Sequence, residues 1–224
     1  MENITKWFGY PIYVSTINNY EEINKEILPV LIKEATTINS KYARTTDKTN
    51  EDLQDVSDNL HANKKFKKLF IKIKQTIIDF LNEQHYNLES FDVYIIKSWA
   101  TYSYKNQSIK RHRHFTSNFS FVYYVDANKQ GNLFFEDDHQ SKLGINVPKE
   151  NEFFKKWDDV NYSRVEYAAI TGNIIIFPSA LFHETSQNKT DKLRISISGD
   201  ILLTMKKGLK SEFNMPSPTT WKKI

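Results

Sequence analysis

RISIS, residues 194–198, opens the last of several short runs that are rich in β-branched and aromatic residues. Its polar and apolar residues alternate, and on a β-strand residues two apart point to the same face of the sheet. Arg194 therefore shares a face with Ser196 and Ser198, while the two isoleucines lie on the other face. Because a cation on the polar face of a core strand needs an anion, this strand predicts an anion-binding position inside the fold.

Similar runs precede it along the chain. Each is short, favours strand structure, and is followed by polar turn residues. They are FDVYIIKSWATYSY at 91–104, NFSFVYYV at 118–125, GNLFFED at 131–137, RVEYAAIT at 164–171 and GNIIIFPS at 172–179. A series of short strands of this kind predicts a jelly-roll or barrel core.

Two helical segments precede the strands. Residues 20–35 and 62–84 both place apolar side chains at helical spacing, with Pro29 interrupting the first pattern. Between them, residues 36–59 are polar and aperiodic, which predicts a long loop. We expect an α+β fold that forms one domain over residues 1–224, with a helical support at 1–90, a jelly-roll core at 91–205 and a tail at 206–224.

The composition narrows the possible chemistry. The chain has 224 residues, 39% of them hydrophobic, and no cysteine. Disulfides, thiolate zinc sites and cysteine nucleophiles are thereby excluded, so a metal would have to be held by histidine, carboxylate or water. The sequence has no apolar window of about twenty residues, so we expect a cytoplasmic protein that does not associate with membranes.

The charge is mildly basic, with a net charge of +4 and a pI near 8.9. Such a charge is compatible with nucleic acid or anionic metabolites as partners. Its lysines, however, cluster at 64–68 and 206–210, where they are typical of a solvated helix face and a polar tail. We therefore do not expect nucleic acid to be the main partner.

Three histidines form a candidate metal site. RHRHF at 111–115 places His112 and His114 two residues apart, and on a strand both imidazoles would project into the same space. His183 follows the apolar run IIIFPSALF, and Arg194 lies eleven residues further on. Three facial protein ligands leave three metal positions for a bidentate cosubstrate and dioxygen, as non-haem iron enzymes require. Without the distal residues, His112 and His114 would indicate only a basic strand edge.

The order and spacing of these motifs resemble the Fe(II)/2-oxoglutarate-dependent oxygenases. The likeness is strongest to the prolyl-hydroxylase-like branch and to uncharacterised oxygenases of bacteria and phages. HRH at 112–114, FHE at 182–184 and Arg194 stand where that superfamily has its metal pair, its distal histidine and a basic residue that binds 2-oxoglutarate. SFVYYV at 120–125 is similar to the strand that follows the metal pair in prolyl hydroxylases.

The resemblance implies a double-stranded β-helix core and two cofactors, Fe(II) and 2-oxoglutarate. It assigns the metal to His112, His114 and His183, and the cosubstrate to Arg194 with Tyr124 and either Ser196 or Ser198. It implies a dioxygenase that uses dioxygen to hydroxylate an unidentified substrate and releases succinate and carbon dioxide. No catalytic residue beyond the metal ligands is implied, and substrate choice is expected to lie with loops 36–59 and 137–163.

His114 departs from the superfamily pattern, which has a carboxylate at this position. The result is a three-histidine set with one negative charge fewer on the metal. Carboxylates that could substitute are Glu136, Asp137, Asp138 and Glu184, none of which ranks above His114. Two other classes stay open: a cupin-like metal protein that does not use 2-oxoglutarate, and a non-catalytic binding module on a degenerate oxygenase scaffold. The second would bind with strongly salt-dependent affinity if its ligand were nucleic acid.

The remaining histidines and tryptophans carry no ligand pattern. We expect His61, His85 and His139 at the surface, and Trp99 and Trp157 in packing roles. Tyr102 and Tyr104 precede the metal pair, and aromatic residues on strands usually belong to the core.

Overall fold

The structure is a computed structural model that describes residues 9–37, 59–127, 129–137, 164–210 and 214–223. Its helices are α1 (Tyr20–Thr37) and α2 (Lys67–Glu83). Its strands are β1 (Tyr13–Thr16), β2 (Phe91–Ser103), β3 (Phe119–Asp126), β4 (Leu133–Glu136), β5 (Arg164–Tyr167), β6 (Asn173–Pro178), β7 (Phe182–Thr185) and β8 (Arg194–Met205). Short 3-10 turns occupy Leu60–Ala62, Lys64–Phe66 and Pro218–Thr220.

The strands form two antiparallel sheets. The larger has the order β1-β6-β3-β8-β2 and the smaller has the order β5-β4-β7. A cluster of buried apolar side chains lies between them, with Val122 and Ile175 from the large sheet and Leu133 and Phe135 from the small one. Two facing antiparallel sheets joined by this core confirm the predicted double-stranded β-helix.

The large sheet has a different environment on each face. On one face the strands pack against the helices, as when Tyr123 and Ile197 meet Ile73 and Phe80 in a second buried cluster. On the other face they point into the space between the sheets. Period-2 alternation along β8 therefore sends its isoleucines towards the helices and its Arg194, Ser196 and Ser198 into the interior, as the sequence predicted.

The helical predictions hold with shifted boundaries. The first helix starts at Tyr20 as expected and continues through Pro29 to Thr37. The second starts at Lys67 rather than near 62, because the chain first makes two 3-10 turns. Asn63 separates these turns and its side-chain oxygen accepts a hydrogen bond from the Lys65 backbone N–H, which explains the late start.

One local expectation was wrong, and one short strand was missing from the sequence analysis. His112 and His114 do not lie on a regular strand; their segment is extended, and within the described residues only His112 makes a bridge, to His183. His183 follows β6 as expected, but it lies on a further strand, because Phe182–Thr185 forms β7, the edge strand of the small sheet beside β4. Both elements are too short for side-chain alternation to reveal them in the sequence.

Some predictions fall outside the described residues. Most of loops 36–59 and 137–163 lies there, and so do Asp138, His139 and Trp157. The division of the chain into one domain with three parts stays a prediction. Neither described helix has the length and apolarity that crossing a membrane requires.

Candidate metal centre

The extended segment at 111–115 lies against β7 and the turn before it. His112 and His183 exchange backbone hydrogen bonds of 3.0 and 2.9 Å, and the His114 N–H donates to the Ser179 carbonyl at 2.8 Å. Burial alternates along the segment, so that the two histidines are half-buried while Arg111 and Arg113 are exposed. These contacts turn both histidine rings towards His183.

The three histidine rings converge. The ring centroids of His112 and His183 are 4.2 Å apart, and His114 lies 5.3 Å from each of them. One ring nitrogen from each histidine lies within 4.8 Å of the others, an arrangement that could hold a metal ion. Residues from two distant parts of the sequence thus meet as the histidine spacing predicted.

Hydrogen bonds fix the orientation of each ring. The Nδ1 atoms of His112 and His183 lie 2.8 and 2.9 Å from the carbonyl oxygens of Lys110 and Leu181. The Nδ1 atom of His114 lies 2.6 Å from Asp200 Oδ1. Because these oxygens accept, each Nδ1 carries a proton, so in the neutral form of each ring the lone pair lies on Nε2 and is available to a metal.

The site keeps its central imidazole neutral. Burial, followed by the neighbouring His112, lowers the pKa of His183 to about 3. Only 6% of His183 is exposed, and Phe177 packs against it with ring centroids 4.8 Å apart. A neutral imidazole is the form that binds metal, so the environment of His183 favours a ligand over a cation.

Asp200 is a site residue that the sequence analysis missed. It lies on β8, is fully buried, and accepts hydrogen bonds from His114 Nδ1 and from Ser120 Oγ, the latter at 2.7 Å. Burial alone would raise the pKa of Asp200, but these bonds and Lys97 outweigh it and the pKa is lowered. The alternation that groups Arg194 with Ser196 and Ser198 extends to Asp200, and that signal could have found it.

Two of the carboxylates considered as substitutes for His114, Glu136 and Glu184, point away from the histidine group. Glu136 pairs with Arg111 at 2.7 Å, and Glu184 pairs with Arg164 at 2.6 Å. In the small sheet His183 is opposite Phe135, so alternation sends Glu184 and Glu136 to the outer face. Asp137 comes after β4 and does not belong to the histidine group. Within the described residues, no carboxylate takes the place of His114 in the histidine group.

Arg194 is a buried cation at the opposite end of the same face of β8. Only 2% of it is exposed, its Nη1 donates a weak hydrogen bond of 3.4 Å to Ser103 Oγ, and its guanidinium carbon lies 5.2 Å from the centre of the Tyr124 ring. Its Nε has no hydrogen-bond partner, and no carboxylate pairs with it among the described residues. Burying a guanidinium in this way is costly unless an anion joins it.

Gly131 makes room for this arginine. It has a φ of +67°, and a Cβ atom placed on it would lie 2.6 Å from Arg194 Cδ. Glycine is therefore required here both by the backbone conformation and by the close approach of the arginine.

Tyr124, Ser196 and Ser198 line the interior between Arg194 and Asp200. Tyr124 is opposite Ser196 on neighbouring strands, and its buried hydroxyl has no hydrogen-bond partner within the described chain. Burial raises the pKa of Tyr124, while the adjacent Arg194 opposes that shift. Ser196 is buried and Ser198 half-buried. The structure thus brings all of the predicted cosubstrate residues to one face, although their roles stay predictions.

The other histidines and aromatic residues of interest lie outside this site. His61 was expected at the surface but is half-buried, because its Nδ1 contacts Ser98 Oγ at 2.9 Å. His85 is exposed as expected. Tyr102 packs into the helix-side core. Trp99 is buried beside the site, with its ring centroid 5.9 Å from that of His114.

Comparison with known proteins supports one superfamily. Residues 97–200 match the family described as "Putative 2OG-Fe(II) oxygenase". No curated protein matches the sequence significantly.

Several solved structures share the fold at low sequence identity. AviO1 from Streptomyces viridochromogenes Tue57 has a TM-score of 0.57 at 13% identity, with 94% of each chain covered. A prolyl hydroxylase from Trichoplax adhaerens, solved with a peptide fragment of a hypoxia inducible factor, has a TM-score of 0.54 at 12% identity, with 85% of this chain and 83% of that chain covered. A prolyl-4-hydroxylase from Pseudomonas putida has a TM-score of 0.51 at 13% identity, with 87% and 92% covered. The family match over the strand core and this shared fold both support the similarity of the chain to the 2-oxoglutarate- and Fe(II)-dependent oxygenases.

Proposed function

We propose that this protein is an Fe(II)- and 2-oxoglutarate-dependent dioxygenase that hydroxylates a C–H bond of its substrate and releases succinate and carbon dioxide. The observation that carries the proposal is the buried guanidinium of Arg194, which has no carboxylate partner in the described chain. It lies on the same face of β8 as Asp200, which contacts the histidine group. A dicarboxylate with one end at the metal would supply the missing anion.

The histidines would hold the iron. In their neutral forms, His112, His114 and His183 would each offer an Nε2 lone pair to one space, because every Nδ1 donates to an oxygen outside the group. Neutral imidazole suits iron, and three protein ligands leave positions for other groups. The donor set therefore fits Fe(II).

Arg194 would bind the far carboxylate of 2-oxoglutarate. A guanidinium fork can hold a carboxylate through two parallel hydrogen bonds. Arg194 Nε and the Tyr124 hydroxyl are both buried without hydrogen-bond partners, so both have capacity to bind such an anion. Ser196 and Ser198 would line the path between the two ends of the cosubstrate. The buried polar atoms that the fold leaves unsatisfied thus match the proposed ligand.

When bound, Fe(II) and 2-oxoglutarate supply the oxidising chemistry through oxidative decarboxylation of the cosubstrate with dioxygen. The protein supplies position and a dry environment. Phe177 and Phe135 lie against His183, with ring centroids 4.8 and 6.3 Å away, and Trp99 covers His114. These aromatic rings exclude water from the histidine group on the protein side.

The test is anaerobic addition of Fe(II) and 2-oxoglutarate to metal-free protein, followed by visible absorption. A 2-oxoacid chelated to Fe(II) gives a charge-transfer band. We expect the band in the wild type, a weaker band in Arg194→Ala, and no band in His114→Ala. Arg164→Ala is the matched control, since this arginine is paired with Glu184 on the outer face of the small sheet and should leave the band unchanged.

Each other outcome points to a different class of protein. Metal binding without a band, and without an effect of Arg194→Ala, would favour a cupin-like three-histidine site that does not use 2-oxoglutarate. Failure of the wild type to bind metal would overturn the proposal and leave a non-catalytic binding module.

A further inference from the structure

We propose that Asp200 acts through His114 as the carboxylate of the metal site, so that a hydrogen-bonded Asp–His pair takes the place of a directly ligating carboxylate. Asp200 would then be a positioning residue that orients His114 and makes it a stronger ligand. This inference rests on the proposed metal-binding function of the three histidines. It concerns a residue that would not contact the metal itself.

The position of Asp200 is set by the register of three strands. On β8 it is opposite Ser120 of β3 on one side and Lys97 of β2 on the other. Its Oδ1 atom lies 2.6 Å from His114 Nδ1, and its Oδ2 atom lies 3.1 Å from Lys97 Nζ in an ion-pair contact. The angle of the Lys97 contact is unfavourable for a hydrogen bond, since Oδ2 has no hydrogen-bond partner by geometry. The best-aligned charged contact of Asp200 is therefore the one to His114.

A chain of hydroxyl groups also ends on this carboxylate. Ser117 Oγ donates to Ser179 Oγ at 2.8 Å, Ser179 and Ser120 are 2.9 Å apart, and Ser120 donates to Asp200 at 2.7 Å. Because Ser120 uses its only proton on Asp200, the link between Ser179 and Ser120 must run towards Ser120. Every donor in the chain thus points towards Asp200, which is the pattern expected around an ionised carboxylate.

Burying an ionised carboxylate completely costs desolvation free energy unless charged or strongly polar groups surround it. For Asp200 these groups include the Nδ1–H of His114, whose ring faces the two other histidines. A carboxylate that accepts from Nδ1 fixes the tautomer with Nε2 free, holds the ring in place and raises the basicity of the ligand. The Nδ1 atoms of the two other histidines lie beside backbone carbonyl oxygens, at 2.8 Å for His112 and 2.9 Å for His183.

This arrangement accounts for the departure at position 114. A histidine at this position does not bring the negative charge of a ligating carboxylate to the metal. Asp200 supplies a negative charge behind His114 instead, separated from the metal by the imidazole ring. The hydrogen bond to the carboxylate gives the imidazole of His114 partial imidazolate (anionic) character. The three-histidine set with Asp200 therefore has the charge of a two-histidine, one-carboxylate set, distributed over two residues.

The experiment is Co(II) titration of the metal-free full-length protein, with visible absorption as the readout of ligand geometry. We expect Asp200→Asn to weaken Co(II) affinity by about 10- to 100-fold, the range found for such outer partners, and to change the Co(II) absorption bands. Asp191→Asn is the matched control, because Asp191 is an exposed aspartate paired with Lys105. It should leave affinity and spectrum unchanged.

A second substitution distinguishes an electrostatic role from a structural one. Lys97→Met removes the cation that partly neutralises Asp200, so we expect it to raise Co(II) affinity several-fold, with Lys105→Met as its control. If Asp200 only anchored the strands, Lys97→Met would weaken Co(II) binding in the same way as Asp200→Asn. This comparison holds even if Asp200→Asn does not fold.

The outcomes separate the two proposals. A wild type that binds no Co(II) would overturn the metal-binding function and this inference with it. A wild type that binds Co(II), with Asp200→Asn indistinguishable from it in affinity and spectrum, would overturn only the role of Asp200. A lower Co(II) affinity in Lys97→Met than in the wild type would also overturn the electrostatic role of Asp200.

Discussion

At the scale of single residues, the site depends on polar groups that the fold buries without complete hydrogen bonding. Tyr124 and its neighbour Tyr123 show the difference between a buried hydroxyl without a hydrogen-bond partner and one with a partner. The Tyr123 hydroxyl points to the helix side and donates to Asn24 Oδ1 at 2.6 Å, whereas the Tyr124 hydroxyl points into the interior and has no partner among the described residues. An unsatisfied buried hydroxyl lowers the stability of the metal-free protein unless a ligand satisfies it.

We therefore expect Tyr124→Phe to have opposite effects on stability and binding. Without cofactors, the free energy of unfolding should rise by about 1 kcal/mol, because a buried unsatisfied polar group is removed. With Fe(II) present, 2-oxoglutarate affinity should fall about tenfold, because a hydrogen bond to a charged ligand is lost. Urea unfolding and titration of the charge-transfer band measure the two quantities. Tyr123→Phe is the control and should lower stability; a similar loss in Tyr124→Phe would contradict the assignment.

His183 gives a prediction for pH dependence. Its pKa is about 3 in the folded protein, against an ordinary value of 6.5. Between these values the unfolded chain binds the proton that the folded chain does not, so stability is fully present above pH 6.5 and is lost as the pH falls towards 3. In this window the slope contributed by His183 is at most about 1.4 kcal/mol per pH unit.

Urea unfolding of metal-free protein between about pH 5 and 7 tests this prediction. His183→Gln should flatten the decline in stability at the acidic end, because it removes the titrating group. His85→Gln changes an exposed histidine and should leave the slope as it is. An unchanged slope in His183→Gln would show that other groups cause the acid sensitivity.

At the scale of elements, the turn before β4 shapes the proposed cosubstrate site on β8. Gly131 lies in that turn and contacts the stem of Arg194, so two elements distant in sequence meet at one backbone position. The fit leaves no room for a side chain. Gly208 has a similar φ of +89°, but a Cβ atom added there would have nothing within 4 Å, which makes it a control for backbone strain alone.

We expect Gly131→Ala to weaken 2-oxoglutarate binding while Co(II) binding persists. Both Gly131→Ala and Gly208→Ala should lose about 1–2 kcal/mol of stability from left-handed backbone strain. Only Gly131→Ala should also displace Arg194 and raise the KM for 2-oxoglutarate, by about tenfold if one charged hydrogen bond is lost. Measuring the KM and the unfolding free energy of both variants separates the effects. Equal KM values would show that the turn does not position Arg194.

At the scale of the whole molecule, the large sheet separates two tasks. Its helix-side face carries an apolar core that gives stability, and its interior face carries the polar residues of the site. Because alternation assigns neighbouring residues to opposite faces, a change on the helix side reaches the site only through the backbone of the sheet. Stability and cosubstrate binding should therefore respond to different substitutions.

Ile73→Ala on α2 tests that separation. Ile73 is fully buried, so its truncation should cost about 2–5 kcal/mol of unfolding free energy. The KM for 2-oxoglutarate should stay within about a factor of two, as long as the variant is folded at the assay temperature. Ile71→Ala, on the same helix and 57% exposed, should change the unfolding free energy by less than about 0.5 kcal/mol. A large KM change in Ile73→Ala would show that the helix layer is coupled to the site.

The sequence alone determined the elements with clear periodicity. The strands β2, β3 and β8 are long runs rich in β-branched and aromatic residues, and the helix α2 buries one face over several turns, so their patterns are long enough to be recognised. The histidine spacing and the strand that begins at Arg194 also carried the superfamily resemblance, which the family match bears out. These features depend on the periodicity and spacing of residues along the chain, which can be read directly from the sequence.

Only the tertiary structure decided which carboxylate lies behind His114. Asp200 meets His114 because β2, β3 and β8 pair in one register, and a shift of one residue would turn Asp200 towards the helices. The strand that carries His183 was hidden for a related reason, since its four residues are too few to show alternation and its pairing with β4 defines it. Strand register and long-range strand pairing depend on how many apolar side chains the whole sheet buries. A local sequence pattern therefore cannot predict them.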